Sequence, residues 1–418
     1  MKLKVYYQNE LLGFIDKINE QQWNFISEKP ELSKKLLIPE SCKDYFDNLL
    51  PEENEREFFT NIARCKVSDS WILLSHFGRE SAGAFTIIPE NQTLSIDNSY
   101  TEIDIINLDE MIEQRIVKTE RGFVSGMRMS IAGAQQKIML SYKDGKYFIP
   151  EGNTTSTHIL KPESNQDYPD ATINEYFCLK LAKKLGLDVP EIYFDIIGNS
   201  GCYIVERFDR KNGNRIHTLD GTQVLGLDKN QKYDQMNVDN LITIAEFTKN
   251  PQESKQKLVD WLWFNFIIGN HDNHLKNISV IFDGEDYQIS PFYDLFSTAA
   301  YSYGNEFWGK INHMLCCAIN DKQYDTDVTQ QDFQQLFDIF GAKPSFTLDD
   351  VKRVLPYVNQ ECMKVLVDKK QERKADYFNK ARAERMVNTI HHAVINRNII
   401  QLNNIVNKHK NTLGIIKK

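Results

Sequence analysis

The residues best suited to chemistry lie in two short stretches. One is Asn270-His271-Asp272-Asn273-His274-Leu275-Lys276-Asn277, and the other, after a short hairpin, is Ser290-Pro291-Phe292-Tyr293-Asp294. Two carboxylates and an amide in that layout suit phosphoryl transfer. Asp272 would accept or orient the proton of an attacking hydroxyl, while Asn277 and Asp294 would hold Mg²⁺ bridging the phosphates. The spacing Asp-x-x-x-x-Asn is that of a protein-kinase catalytic loop, but the flanks differ. No His-Arg precedes Asp272, and Asp294 is followed by Leu295-Phe296 rather than Phe-Gly. The competing reading of the loop alone is a polar turn around a buried, hydrogen-bonded aspartate.

Such a loop needs a rigid support. Residues 258–269 hold Trp261, Trp263, Phe264, Phe266, Ile267 and Ile268. Apolar side chains on nearly every face predict a helix buried all round. Asp260 and Asn265 interrupt the run, which falls short of the roughly 20 apolar residues that span a bilayer. Gly269 is the expected stop. Downstream, Ile278-Ser279-Val280-Ile281-Phe282, Asp283-Gly284 and Tyr287-Gln288-Ile289 predict a tight hairpin with an Asp-Gly turn. It would return the chain so that Asp294 lies near Asp272 and Asn277.

Upstream, residues 2–16 read as a hairpin turning at Gln8-Asn9-Glu10. Trp71-Ile72-Leu73-Leu74 reads as helix, and Phe85-Thr86-Ile87-Ile88 as a strand closed by Pro89. The polar segment 91–108 reads as a linker, which places a small α/β domain at 1–105. Phe123 to Ile131 looks extended and meets Ala132-Gly133-Ala134; Gln135 to Tyr142 then alternates, and Asp144-Gly145 turns the chain. A strand, a small-residue loop and a strand can cover phosphates with backbone N–H groups, or can be an ordinary β-turn. Thr157-His158-Ile159-Leu160-Lys161 is a strand halted by Pro162; its lysine suits phosphate charge or plain solvent. Thr172-x-x-Glu175 predicts a capping box opening a helix that Gly186 ends. Glu175 is first a capping residue and second a partner for Lys161. Strands at 192–197 and 202–205 lead into Glu206-Arg207-Phe208-Asp209-Arg210. Helices follow at about 238–248, 253–269, 330–340, 348–356, 360–388 and 389–408. The class is α+β: a two-lobed, kinase-like body with a β-rich lobe, a hinge near Glu206 and an all-helical lobe.

Composition sets the limits. Hydrophobic residues at 41% and charged residues at 26% describe an ordinary globular chain, and a net charge of −8 favours neither DNA nor an anionic membrane globally. From Glu361 onward thirteen Lys/Arg face five Asp/Glu, which reads as solvated helix faces or, alternatively, as a surface for nucleic acid or an acidic partner. The seven cysteines are odd in number and contain no Cys-x-x-Cys pair, so neither a disulfide framework nor a zinc site is expected. Met1-Lys2-Leu3-Lys4 runs into strand-like sequence without a signal core, so the expected location is the cytoplasm.

In this order the segments resemble the HipA family, kinase toxins of bacterial type II toxin–antitoxin pairs. The resemblance rests on Ser130-Ile131-Ala132-Gly133-Ala134-Gln135-Gln136-Lys137, His158-Ile159-Leu160-Lys161 and Asn174-Glu175-Tyr176-Phe177-Cys178-Leu179. It continues through Val205-Glu206-Arg207-Phe208-Asp209-Arg210, Asp272-Asn273-His274-Leu275-Lys276-Asn277 and Pro291-Phe292-Tyr293-Asp294. It implies a HipA-like N-terminal domain at 1–105, a kinase N-lobe at 106–207 and a C-lobe at 208–418. It implies an ATP- and Mg²⁺-dependent serine/threonine kinase with Asp272 as catalytic aspartate and Asn277 and Asp294 as metal ligands. ATP would be held by Lys161, by the loop Ala132, Gly133, Ala134 and Gln135, by His274 and Lys276, and by hinge backbone at Glu206 and Phe208. Ser130 would be the autophosphorylation site. The implied partners are a helix-turn-helix antitoxin like HipB, DNA mainly through that antitoxin, and a protein substrate such as an aminoacyl-tRNA synthetase, with no membrane. Two departures are Asn273 where Gly is common and Gln136 where Glu is common. The alternatives are a small-molecule phosphotransferase on the same lobes and a non-catalytic co-repressor partner; the intact Lys161, Asp272, Asn277 and Asp294 argue against the latter.

Overall fold

A computed structural model describes residues 2–94, 98–114, 118–119, 122–123, 136–163, 168–302 and 313–403. Ser130, Ala132, Gly133, Ala134 and Gln135, with most of the extended stretch expected before them, lie outside the described residues. The chain forms two compact units. One comprises Met1–Ser164, Cys202–Gln231 and Ser279–Tyr287; the other comprises Asn165–Gly201, Lys232–Ile278 and Gln288–Lys418.

The first unit opens with strands Lys2–Tyr7 and Glu10–Lys17, paired antiparallel across Gln8 and Asn9, whose φ values are 48° and 68°. Two left-handed residues match the right-handed twist of the flanking strands. Trp23–Ser27 and Phe85–Pro89 complete a four-stranded sheet, antiparallel throughout. Helix Ser70–Phe77, capped by the Asp69 carboxylate on the Ile72 N–H, meets the sheet through an edge contact of Trp71 on Trp23. A second sheet of this unit runs in the order Ser200–Glu206, His158–Pro162, Ile138–Lys143, Lys146–Gly152, Asn98–Ile103. Its last strand overturns the expected linker at 91–108. Thr101 pairs with Ile149, and its hydroxyl donates to Glu151 at 2.6 Å. A strand with one polar, solvated face needs few apolar residues, so polarity alone misread it. Helix Ile105–Gln114 follows, burying Leu108, Met111 and Ile112 on one face.

The charged motif after strand Ser200–Glu206 is buried. Arg207 donates to Glu80 (2.8 Å) and to both oxygens of Asp209 (2.9 and 2.8 Å). Arg210 and Arg215 also reach Glu80, at 3.2 and 3.1 Å, and the Ser156 hydroxyl donates to it at 2.8 Å. Asp209 further accepts the Gly83 N–H at 2.8 Å. Burial works to raise Asp209, but Arg207 and Arg210 outweigh it and hold the carboxyl down to about 2. Burial and the neighbouring Arg207 push Arg210 down to about 9. Glu80 thus joins the segment before Phe85–Pro89 to the chain that follows Glu206.

In the second unit, helix Ala171–Lys184 starts two residues earlier than the capping box required. Asp170 is its N-cap, and Thr172 and Glu175 lie within the helix, both buried. Helix Pro251–Ile268 is buried on all sides from Leu258 onward and stops at Gly269, as the apolar run predicts. Trp263 packs edge-on against Phe333 and Phe337 of helix Gln330–Phe340. Two helix boundaries differ from expectation. Pro356 does not end its helix, which runs unbroken over Leu348–Arg373. Val351, Leu355, Val358, Cys362 and Leu366 bury a continuous stripe across the proline, and that packing offsets the lost backbone bond. The break comes instead at Lys374, with φ 52°, before helix Lys380–Asn388.

The turn after strand Ser279–Phe282 has four residues rather than Asp-Gly alone. The Asp283 carboxylate accepts the N–H groups of Glu285 and Asp286, both at 2.9 Å. A short pair, Met314–Ile319 with Lys322–Tyr324, stands among the helices. Several cations of the basic C-terminal segment are engaged in ion pairs: Arg373 with Asp195, Arg382 with Asp170, Lys369 with Glu372. All seven cysteines are free thiols, and no helix among the described residues is long and apolar enough to cross a membrane.

Removing one partner of a buried charge group leaves the others desolvated and uncompensated, at roughly 3–5 kcal/mol. Glu80→Ala should therefore destabilise the protein by about that amount in urea unfolding at pH 7. A loss under about 1 kcal/mol, the range of an exposed pair, would mean that Glu80 does not hold the three arginines together.

Candidate active site

The buried helix ends because Gly269 is left-handed, at φ 64°. A Cβ there would stand 2.7 Å from both Ala299 Cβ and Val394 Cγ1. The chain leaves the helix through a ladder of amides. Asn265 donates to the Trp261 carbonyl at 2.8 Å, Asn270 donates to the Asn265 side-chain oxygen at 2.7 Å, and Asn270 accepts the Asp272 N–H at 3.0 Å. The His271 N–H is taken by Thr298 Oγ1 at 2.9 Å, and that hydroxyl donates to the Gly269 carbonyl at 3.1 Å. A 3₁₀ turn, Leu275–Asn277, then folds the loop back. The Asn277 amide donates to the Asp272 carbonyl at 2.9 Å, so the five-residue spacing closes on itself.

Asp272 is exposed, whereas His271, Asn273, His274, Lys276 and Asn277 around it are buried. The Tyr233 hydroxyl donates to Asp272 Oδ1 at 2.7 Å, and the Tyr233 ring meets His274 edge-on at 5.0 Å. The Lys232 carbonyl accepts the Leu275 N–H at 3.2 Å. Burial pushes the Cys316 thiol up, and the Asp272 carboxylate adds to it. Tyr233, Lys232 and Cys316 are additions to the residues singled out from sequence; they stand 40 or more positions away or in a polar loop without periodicity, and carry no local signal.

Asp294 has φ 56°, a conformation that costs an L-residue without a compensating turn roughly 1–2 kcal/mol. Its neighbours hold it there. Tyr293 donates to the Lys276 carbonyl at 2.8 Å, and the Phe292 N–H reaches the Asp188 carbonyl at 2.7 Å. On the other side, the Asn174 amide clasps Ser297 through both its backbone groups, at 3.0 and 2.8 Å. Asn277 spends its N–H on Asp272, which turns its oxygen the other way. An amide oxygen and a carboxylate are hard donors suited to Mg²⁺, which takes one or two protein ligands and completes its shell with phosphates and water. Among the described residues no three His, Cys, Asp or Glu side chains gather as a closed metal cage.

The remaining predicted residues belong to the first unit. Lys161 lies on strand His158–Pro162 opposite Tyr203, is 5% exposed, and sets its ammonium 5.6 Å from the Tyr203 ring centre. Glu206 is exposed at the end of its strand, opposite His158, and Phe208 is half-buried. Arg207 and Asp209, the residues between and beyond them, are locked in the Glu80 network, and the Arg207 N–H also bonds the Thr157 carbonyl at 2.9 Å. The hinge-like backbone is thereby fixed from its buried side.

Residues 129–397 match the HipA-like C-terminal domain, and residues 3–88 match the HipA N-terminal domain. This chain belongs to the HipA family. It is 31% identical to Y4mE of Sinorhizobium fredii, a candidate kinase, over 274 residues; these are 62% of this chain and 65%, just under two thirds, of that relative. The serine/threonine-protein kinase toxin HipA of Shewanella oneidensis is 26% identical over 340 residues, 77% of this chain and 76% of that protein. Among solved structures, that organism's complex of HipA, HipB and operator DNA aligns with a TM-score of 0.72 at 22% identity, covering 94% of this chain and 97% of that one. The fold is thus that of HipA, an N-terminal domain and a kinase-like α+β body.

In this HipA-family chain, Gly269→Ala combines a left-handed penalty of about 1–2 kcal/mol with an overpacking cost of about 1–3 kcal/mol. The variant should lose roughly 2–5 kcal/mol of stability in denaturant unfolding. A loss within experimental error would show that the Val394 and Ala299 contacts give way freely.

Proposed function

We propose that this chain is an ATP-dependent serine/threonine-protein kinase and the toxin of a type II toxin–antitoxin pair. The observation that carries the reading is the Asp272 loop: an exposed carboxylate at the end of a buried helix, with the Asn277 amide closing on it. Asp272 orients the substrate hydroxyl and takes its proton as the oxygen attacks the γ-phosphorus and the bond to the β–γ bridging oxygen breaks, releasing ADP. Tyr233 holds one carboxylate oxygen in place for that role. Asn277 and Asp294 would hold Mg²⁺, whose charge would neutralise the phosphates. Lys161 would answer phosphate charge on ATP, and residues 132–135, His274 and Lys276 are further proposed ATP contacts. Glu206 and Phe208 give hinge backbone to adenine. The domains follow as 1–105, 106–207 and 208–418. A helix-turn-helix antitoxin like HipB restrains the kinase and brings it to DNA, and its cytoplasmic substrate is a translation-related protein such as an aminoacyl-tRNA synthetase. The kinship with a named kinase toxin and the fold of its antitoxin-bound form support this reading.

Asp272→Asn preserves size and the Tyr233 contact but removes the proton acceptor. Phosphorylation of protein serine should fall roughly 10³-fold with the melting temperature little changed. Asp294→Asn and Asn277→Ala should each raise the Mg²⁺ concentration needed for half-maximal activity. Wild-type turnover in Asp272→Asn, or label appearing only on small molecules, would overturn the assignment.

Ser130 is proposed as the site of self-modification. A phosphoserine there would carry about −1.5 to −2 charge, which repels the phosphates of ATP. Purified active protein should carry phosphate at Ser130, Asp272→Asn made alone should lack it, and the modified form should bind ATP more weakly. Phosphosite mapping and calorimetric titration of the two forms test this; equal affinities would remove the self-inhibition while leaving the kinase standing.

A further inference from the structure

A buried charge cluster lies one residue from Asp272 and has no role in the reading above. Asp325 is fully buried, and its carboxylate gathers two imidazoles and a guanidinium. His313 Nδ1 donates to it at 2.9 Å, and Arg397 Nη2 donates at 2.7 Å. His271 Nε2 lies 3.3 Å from Oδ2, close but not aligned as a hydrogen bond. Burial would raise the Asp325 carboxyl, but the two imidazoles and Arg397 outweigh it and hold the group well below the usual carboxylate range. It stays ionised, and it draws these side chains together from three separate stretches of chain.

The C-terminal helix, residues 396–403, also grips the buried helix. Arg397 donates through Nε and Nη2 to the Asn398 oxygen, at 2.9 and 2.7 Å. Asn398 in turn donates to the Phe266 and Ile267 carbonyls, at 2.9 and 3.2 Å. Gln401 donates to the Asp325 and Val328 carbonyls, at 2.6 and 2.9 Å. The His271 N–H is held by Thr298, and its ring lies against the Asp325 carboxylate. Asp272 follows directly and is exposed, so its own side chain depends on neighbours for its placement.

We propose that Asp325 is a positioning residue: through His271, and braced by Arg397 on the C-terminal helix, it fixes the backbone from which Asp272 projects. Asp325 touches no reactant. It acts by narrowing the loop to one geometry, which matters because a displacement of about 1 Å at a reacting group costs on the order of 10²-fold in rate. The inference rests on Asp272 as the catalytic residue for its kinetic consequence, but not for its structural one.

The test uses the full chain with Asp325→Asn, His271→Gln and the double variant. The expected result is a fall in kcat of roughly tenfold or more in each single variant. The KM for ATP should stay within about twofold, and the double variant should be no slower than the slower single, as for residues acting as one unit. Amide hydrogen exchange at residues 270–277 should quicken in Asp325→Asn while helix Leu348–Arg373 keeps its protection. Wild-type kcat, additive losses or unchanged exchange at 270–277 would each overturn the proposal. A purely structural role would lower the melting temperature and leave kcat of the folded protein intact. Should Asp325→Asn not fold, Arg397→Gln, at the partly exposed end of the cluster, serves the same two measurements. An inactive wild type would refute the kinase reading, and the exchange measurement would still decide this one.

Discussion

The end of the helix Pro251–Ile268 is the constraint on which the second unit turns. A helix terminus leaves its last carbonyls without intrahelical partners, and this terminus is buried, so water cannot supply them. The chain must therefore bring donors from elsewhere. Asn398 serves Phe266 and Ile267, the Asn270 N–H serves Asn265, and Ala299 and Thr298 serve Gly269. Each of these donors comes from a segment that also borders the Asp272 loop. Satisfying the helix and shaping the loop are one arrangement, so a polar loop of eight residues gains the rigidity of the core beneath it.

The two buried charge groups have opposite compositions. Around Glu80 and Asp209 three arginines compete for two carboxylates; around Asp325 one carboxylate answers two histidines and an arginine. Neither group is needed for stability as such, since a buried pair seldom outperforms well-packed apolar residues. What both provide is selection among alternatives, because an arginine buried in any other register would stand uncompensated. In the first unit this ties Glu206 and Phe208 to one backbone path. In the second it ties His271 to one ring position.

Much of this was readable from the residues alone, and the reason differs from place to place. Turns with left-handed residues, Gln8-Asn9 and Asp144-Gly145, and the apolar run up to Gly269 are local features, set by a few neighbouring side chains. So is the Asp272 to Asn277 spacing. Strand Asn98–Ile103 was missed because its stability comes from a partner some 50 residues away and not from its own apolarity. Pro356 misled because tertiary packing overrode a local rule. The segment after Glu206 hid its meaning most fully: the charged Arg207 and Asp209 are buried while the apolar Phe208 between them is partly exposed, the reverse of what polarity suggests. The partner of Arg207, Glu80, is 127 residues away. Tyr233 and Asp325 are legible only in three dimensions.

The interleaving of the two units has a consequence for synthesis. Neither unit is a continuous stretch: the first is completed only by Ser279–Tyr287, and the second begins at Asn165, before the first has closed. Chains whose domains are sequential can fold each one as it leaves the ribosome, at about 5–20 residues per second. This chain cannot. Its second sheet must wait for strand Ser200–Glu206, with Glu80 exposed while the next 127 residues up to Arg207 are still being added. Products that end before Tyr287 therefore lack a finished unit of either kind.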